Sequence, residues 1–476
     1  MAKFYLTTTL PYVNAEPHIG FALEIIEADA LARYHRLRGD DVFFNTGTDE
    51  HGAKVFRKAQ ELGMEPRAYC DEKALIFEQL KDILNLSYDN FIRTTDDYHI
   101  KAAQAFWQKC EINGDIYKKN YKIKYCVGCE LEKTDSELIS GHCPLHPGLE
   151  LEIIEEENYF FRFSNYQEKL LKLYEENPQF VLPETRFNEI KKFVEMGLED
   201  FSVSRLKSKM PWGIEVPGDS QQVMYVWFDA LVNYISAIGW PDDSVRFNEW
   251  WPVVQLAGKD NLRQQAAMWQ AMLMSVGLLP SRQIFINGFI NVGGQKMSKS
   301  LGNVISPQEM VEKFGVDATR YLILSLGPFG EDTDAIWDKF KEKYNADLAN
   351  GLGNLISRVF NIIELNYEGK IQPDKNSPKD LSLVDKQMEI LNFHHALIEI
   401  MNAVQWANQH IEQTKLWELA KNDKALGQKV VGELVALILA VAEKLQPIMP
   451  QTSQKIIDVL QSGRIVKGEP LFMRLK

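Results

Sequence analysis

The chain opens on a short apolar run, Phe4 to Thr9, that reads as a β-strand. A turn-rich segment with two prolines, LPYVNAEPHIG, follows it. The stretch FALEIIEADALARYHRLRG then shifts to a helical period. Leu23, Ile26, Ala30, Tyr34 and Leu37 fall on one face, and Gly39 is a natural stop. This predicts an amphipathic helix. A second strand, DVFFNTG, a polar loop, TDEHG, and another helix come next. Strand–loop–helix repetition implies a parallel α/β sheet that binds ligands at the C-terminal ends of its strands.

From about residue 113 to 210 the rhythm breaks, around a cysteine cluster and the acidic run Glu155–Glu157, as an insertion would break it. Alternation resumes in VMYVWFDALVNYISAIGW and WWPVVQLAGKDNLRQQAAMWQAML, and the strand QIFINGFINV leads into GGQKMSKSLGN. After about residue 336 the pattern is helical throughout, with a proline-rich break near Ile371–Lys379. The predicted layout is a Rossmann-like α/β domain in two halves, 1–112 and 211–285. The insertion 113–210 separates them, and a loop region 286–335 and an all-α bundle 336–476 complete the chain.

Composition narrows the class. A chain of 476 residues, 45% hydrophobic and 25% charged, predicts a soluble protein with more than one core. The longest apolar run, 434–442, is too short to span a bilayer and reads as a buried helix. The N-terminus lacks a signal-peptide layout, so the expected location is the cytoplasm, with no membrane partner. A net charge of −13 argues against a broad nucleic-acid coat but leaves room for a local basic patch.

Three of the five cysteines lie close together. CVGC (Cys126, Cys129) and CPLH (Cys143, His146) are two knuckles separated by 13 residues, a spacing that can put four soft ligands around one tetrahedral zinc. His142 is an alternative fourth ligand; knuckle geometry favours His146. Two further segments suit phosphate. In PHIGF, His18 and Gly20 stand where a loop meets a helix N-terminus, with free N–H groups and a favourable dipole. In GGQKMSKSLGN, Lys296 and Lys299 come after a strand and are freed by Gly293 and Gly294. Cations on a movable loop can meet a triphosphate as charge develops on it.

LPYVNAEPHIG, GTDEHG, the knuckle insertion, ENYFF, YVWFDAL, GKDNLR, KMSKSLGN and the helical end, in that order, resemble the class I aminoacyl-tRNA synthetases, the methionyl-tRNA synthetases in particular. The resemblance covers essentially the whole chain. It implies ATP-dependent ligation of L-methionine to tRNA(Met) through a methionyl-adenylate, with Mg²⁺ accompanying ATP and a structural zinc. It implies ATP contacts at His18, Gly20, Lys296 and Lys299, with His18 and the two lysines catalytic. The implied methionine pocket comprises Leu10, Tyr12, Asp49, Trp227, Leu231, Tyr234, Asp260 and Gln265, with Asp49 holding the ammonium. Asn354, Arg358 and Trp417 match positions that read the anticodon.

Two departures stand out. The HIGH signature ends in Phe21, and Gln265 and Met268 replace the usual histidine and aromatic. The absence of a further domain after the bundle predicts a monomer. Two alternatives remain: a nucleotidyltransferase of a small metabolite, which would have no use for the bundle or the zinc insertion, and a catalytically impaired tRNA-binding paralogue, which Phe21 keeps open.

Overall fold

The computed structural model describes residues 2–129, 131–133, 137–297 and 302–476; Lys299 lies outside the described residues. Its centre is a six-stranded parallel sheet in the order Asn90–Arg93, Asp41–Thr48, Lys3–Thr7, Val254–Gly258, Gln283–Asn287, Val181–Leu182. The order reverses between Lys3–Thr7 and Val254–Gly258, which pair directly, Leu6 opposite Val254. At such a switch point the loops leaving the two strands part in opposite directions and open a crevice. The last strand, Val181–Leu182, comes from inside the segment 113–210. Two residues are too few to carry a readable alternation.

The helix Ile19–Leu37 is not amphipathic in the predicted sense. Leu37 is 51% exposed, while Glu24, Glu27 and Asp29 are buried. It is covered on nearly every side because the helix Val316–Leu324, the sheet and the helical bundle all pack against it. Its acids therefore need partners. Asp29 accepts from Ser87 N and Oγ at 2.6 Å and pairs with Arg33 and Arg320, each at 2.7 Å. Arg320, fully buried, also donates to the backbone carbonyls of Leu84, Pro447 and Ile448. One guanidinium thus ties the first helix to the loop entering the last one, Pro450–Gln461.

Residues 116–126 and 152–161 form a long antiparallel ladder. The acidic run Glu155–Glu157 faces Asn120–Lys122, with Lys122 Nζ 3.2 Å from Glu155. Opposite charges across a ladder support it. From residue 337 the structure is helical. The apolar run 434–442 sits within a helix of 22 residues, Lys424–Leu445, long and apolar enough by composition to cross a membrane. It packs instead against Phe393–Gln413, Asn354–Tyr367 and Pro450–Gln461 as the middle of the bundle. The bundle shares one continuous core with one face of the sheet, and a second core fills the other face.

Candidate active site and metal centre

The first phosphate signal lies just beyond the strand Lys3–Thr7. His18 is the N-cap of the helix Ile19–Leu37, in extended geometry, and its Nδ1 accepts from Gly20 N at 3.0 Å. That bond leaves Nε2 to carry the ring proton in the neutral form. Burial, then the charge of Lys296, lowers the His18 pKa, so the ring is neutral at physiological pH. A Cβ at Gly20 would crowd the His18 ring at 2.8 Å and touch Met297 at 3.5 Å. Ile19 N donates to Ile305 O at 3.0 Å. The two signatures, far apart in sequence, thus meet at one end of the sheet.

Gly293 and Gly294 do not loosen the second signature as expected. They form the two-residue turn of a hairpin, Val292 opposite Gln295, and both have positive φ, as such turns require. Lys296 ends this hairpin and is exposed, its Nζ 4.7 Å from the centre of the Phe289 ring. Lys259 occupies the same ring at 4.3 Å and is held by both oxygens of Asp332 at 2.7 Å.

The eight residues of the implied methionine pocket come from several separate segments of the chain. Tyr12 and Asp49 form a backbone bridge, next to the half-buried Leu10. His51, two residues on, pairs with the buried Asp229 at 2.7 Å, and His99 holds the other Asp229 oxygen at 2.9 Å. This locks the TDEHG loop onto the helix Val226–Leu231, which carries Trp227 and Leu231. Trp227 Nε1 is buried and finds no partner among the described residues. Tyr234 and Gln265 are both 2% exposed, and Gln265 Nε2 donates to Tyr234 Oη at 2.8 Å. Gln265 lies in a π-helical stretch, Gln264–Met268, whose loosened Gln265 carbonyl accepts from Gln270 Nε2 at 2.7 Å. Asp260 is exposed in the turn after Val254–Gly258. Phe21 is half-buried and packs edge-on against Phe77, 5.6 Å between ring centres.

Sequence reasoning missed Glu24. Its Oε1 accepts from Thr9 N at 2.6 Å and Thr9 Oγ1 at 2.7 Å, beside Leu10. Burial pushes its carboxyl up to about 8; the Thr9 hydrogen bonds oppose this and the charge of Asp260 adds to it. Three acids within six residues of one helix, Glu24, Glu27 and Asp29, were the available signal. Because the folded state keeps this proton well above 4.5, where the unfolded chain loses it, stability falls as pH rises from 4.5 to about 8. Thermal melts of Glu24→Gln should match the parent near the lower end of that window and exceed it increasingly towards the upper end. A constant difference across the range would show that Glu24 does not titrate this way.

Cys126, Cys129, Cys143 and His146 converge, with all four ligand atoms within 4.8 Å of one another. Cys129 Sγ is 3.4 Å from Cys143 Sγ and 3.2 Å from His146 Nδ1. Tetrahedral zinc, with bonds of about 2.0–2.3 Å, needs donors at about this spacing. A Cβ at Gly128 would lie 2.4 Å from the His146 ring, so the glycine of CVGC makes room for the fourth ligand. His142 is outside the cluster, its backbone paired with Ile139. Arg263, from the GKDNLR turn, reaches Glu137 at 2.7 Å and ties the knuckle to the crevice.

In the helical bundle, Asn354 and Arg358 lie one turn apart on the helix Asn354–Tyr367. The Arg358 guanidinium is 5.9 Å from the ring centre of Trp417, which is 38% exposed.

Comparison with known proteins decides the family. The model of class I tRNA synthetases (M) matches residues 4–150 and 148–360. The chain belongs to the class I aminoacyl-tRNA synthetases, in their methionine group. The methionine–tRNA ligase of Brucella suis is 42% identical over 96% of this chain and 92% of its own length. That of Thermotoga maritima is 41% identical over 99% of this chain and 80% of its own. Methionyl-tRNA synthetase of Mycobacterium tuberculosis in complex with methionyl-adenylate superposes with a TM-score of 0.91 at 36% identity, covering 99% of this chain and 98% of that one. Its apo form gives 0.85 at 34% identity, covering 100% and 99%. Membership of this family sets aside the nucleotidyltransferase alternative.

Proposed function

We propose that the chain charges tRNA(Met) with L-methionine in two steps, acting as a monomer in the cytoplasm. In the first, an oxygen of the methionine carboxylate attacks the α-phosphorus of ATP, supplied with its Mg²⁺, and pyrophosphate leaves. In the second, a ribose hydroxyl of the terminal adenosine attacks the adenylate carbonyl and AMP leaves. The observation that carries this reading is the meeting of the His18–Gly20 helix start with the Lys296–Met297 hairpin end at the strand-order reversal. His18 donates from Nε2 to phosphate, Gly20 lets it approach the backbone, and Lys296 and Lys299 take up the charge that grows on the leaving pyrophosphate. Asp49 receives the substrate ammonium, and Asp260 serves as a further polar contact at the crevice. Leu10, Tyr12, Trp227, Leu231 and Tyr234 enclose the side chain. Gln265, fixed on Tyr234, supplies a polar group towards the sulfur. Asn354, Arg358 and Trp417 contact the anticodon.

The three cysteines and His146 hold a structural zinc that staples residues 126–129 to 143–146 and so braces the insertion against the crevice. Cys143→Ala should lower bound zinc, melting temperature and charging together; full charging by protein shown to be metal-free would refute the structural role. For the activity itself, ATP–pyrophosphate exchange is run with a panel of amino acids. Methionine should support it strongly, and norleucine and homocysteine measurably, because one small change in an apolar pocket is worth only about 1–3 kcal/mol. Equal exchange with leucine would overturn the substrate. Exchange with none, in protein that still binds tRNA, would favour the impaired paralogue.

A further inference from the structure

A run of buried hydrogen bonds ends at the Tyr234 hydroxyl, and each of its links has a direction. It starts at a backbone donor, whose role cannot change. Ser281 N donates to Gln270 Oε1 at 2.9 Å. The other end of that amide, Nε2, is therefore a donor, and it reaches Gln265 O at 2.7 Å and Ser281 Oγ at 3.1 Å. Ser281 Oγ, already accepting, gives its own proton to Gln255 Oε1 at 2.5 Å. Gln255 Nε2 then donates to Gln265 Oε1 at 2.9 Å, and Gln265 Nε2 donates to Tyr234 Oη at 2.8 Å. Turning the Gln255 amide round would set its NH₂ against the Ser281 proton. Turning Gln265 round would set its NH₂ against that of Gln255. Gln255, Gln265, Gln270 and Ser281 are at most 5% exposed, so water does not compete for these bonds. Gln255 itself lies in the strand at the order reversal, opposite Thr7.

We infer that Gln255, Gln270 and Ser281 are positioning residues that hold Tyr234 as a hydrogen-bond donor, and that they thereby set the preference for a thioether sulfur over a methylene. This rests on the proposed reading of Tyr234 and Gln265 as pocket residues beside the substrate sulfur. Tyr234 Oη accepts from Gln265 and takes part in no other hydrogen bond among the described residues, so the phenol proton is left for an acceptor in the pocket. A thioether accepts weakly and cannot donate. A tyrosine that gave its proton to Gln265 would offer the sulfur only lone pairs, and sulfur would gain nothing over a methylene. Gln265 stands where a histidine is usual. A neutral imidazole can carry its proton on either nitrogen and an amide can be turned round, but the relay from Ser281 N removes that choice. Core packing with no such role would make these residues matter for melting and leave the substrate preference alone.

The test is ATP–pyrophosphate exchange by the full chain with methionine and with norleucine, which has a methylene in place of the sulfur. Ser281→Ala and Gln255→Met should each lower the methionine-to-norleucine ratio of kcat/KM by about threefold to tenfold, the value of one net hydrogen bond. Tyr234→Phe should lower it by a similar factor, and in that background Ser281→Ala should add nothing. Ser281→Ala removes a single oxygen, so it carries the test even if Gln255→Met melts low. If Tyr234→Phe lowers the ratio while Ser281→Ala and Gln255→Met leave it intact, the positioning inference fails and the pocket reading stands. An undiminished Ser281→Ala effect in the Tyr234→Phe background overturns it too. If Tyr234→Phe leaves the ratio unchanged, the placing of Tyr234 at the sulfur falls and the inference with it.

Discussion

Lys296→Ala is expected to slow adenylate formation by about 10²–10³-fold, equivalent to ~3–4 kcal/mol, with the dissociation constant for methionine unchanged. The ammonium rests on the Phe289 ring, beside a Lys259 already neutralised by Asp332. A cation–π contact at an exposed site is worth about 0.5–1 kcal/mol, so leaving it costs little against the stabilisation the charge finds at a departing pyrophosphate. An interaction made mainly in the transition state raises rate without tightening the ground state. Single-turnover kinetics with ATP and methionine separate the two. A raised dissociation constant for methionine with an unchanged rate would make the hairpin end a binding element. Lys299→Ala is expected to behave in the same way.

The second large effect concerns Arg320. Its guanidinium, with no exposed surface, meets the buried Asp29 carboxylate and three backbone carbonyls from two distant loops. Arg320→Met keeps most of the volume and removes every one of these contacts. Breaking a buried charge pair on one side typically costs about 3–5 kcal/mol, because the partner stays buried without its counter-charge. Arg33 remains at 2.7 Å from Asp29, which favours the lower part of that range. Arg320→Lys keeps the charge but cannot fork to three carbonyls, so it should recover only part of the loss. Chemical denaturation measures both. Equal stability of the parent and Arg320→Met would mean that the clamp holds nothing.

The alternation of strands and helices around a parallel sheet was legible because it rests on local periodicity. The convergence of the cysteines and His146 was legible because knuckle spacing limits where the ligands can go. The burial of the acids of the first helix was not legible. Periodicity assumes a wet side, and Glu24 and Asp29 are buried instead against Thr9, Ser87 and Arg320, partners that no local pattern announces. The pairing of Tyr234 with Gln265 was equally hidden, since nothing local says that two residues 31 apart share a hydrogen bond. The glycine pair before Lys296 was seen but its meaning was inverted. Both residues serve a tight turn rather than a slack loop.

The π-helical stretches make chain length itself informative. A π turn holds an extra residue relative to the α-helix that would cover the same rise. Removing one residue from the second such stretch, Tyr344–Gly353, would let ordinary winding return over the same rise, so the helix Asn354–Tyr367 would keep its facing and lose the opened Gly351 carbonyl that accepts from Asn408 Nδ2. Within Gln264–Met268 the same change would remove the opened Gln265 carbonyl that accepts from Gln270 Nε2. At these two places the extra residue serves to free a backbone acceptor, so a single-codon deletion should spare the flanking helices and be felt at one local hydrogen bond.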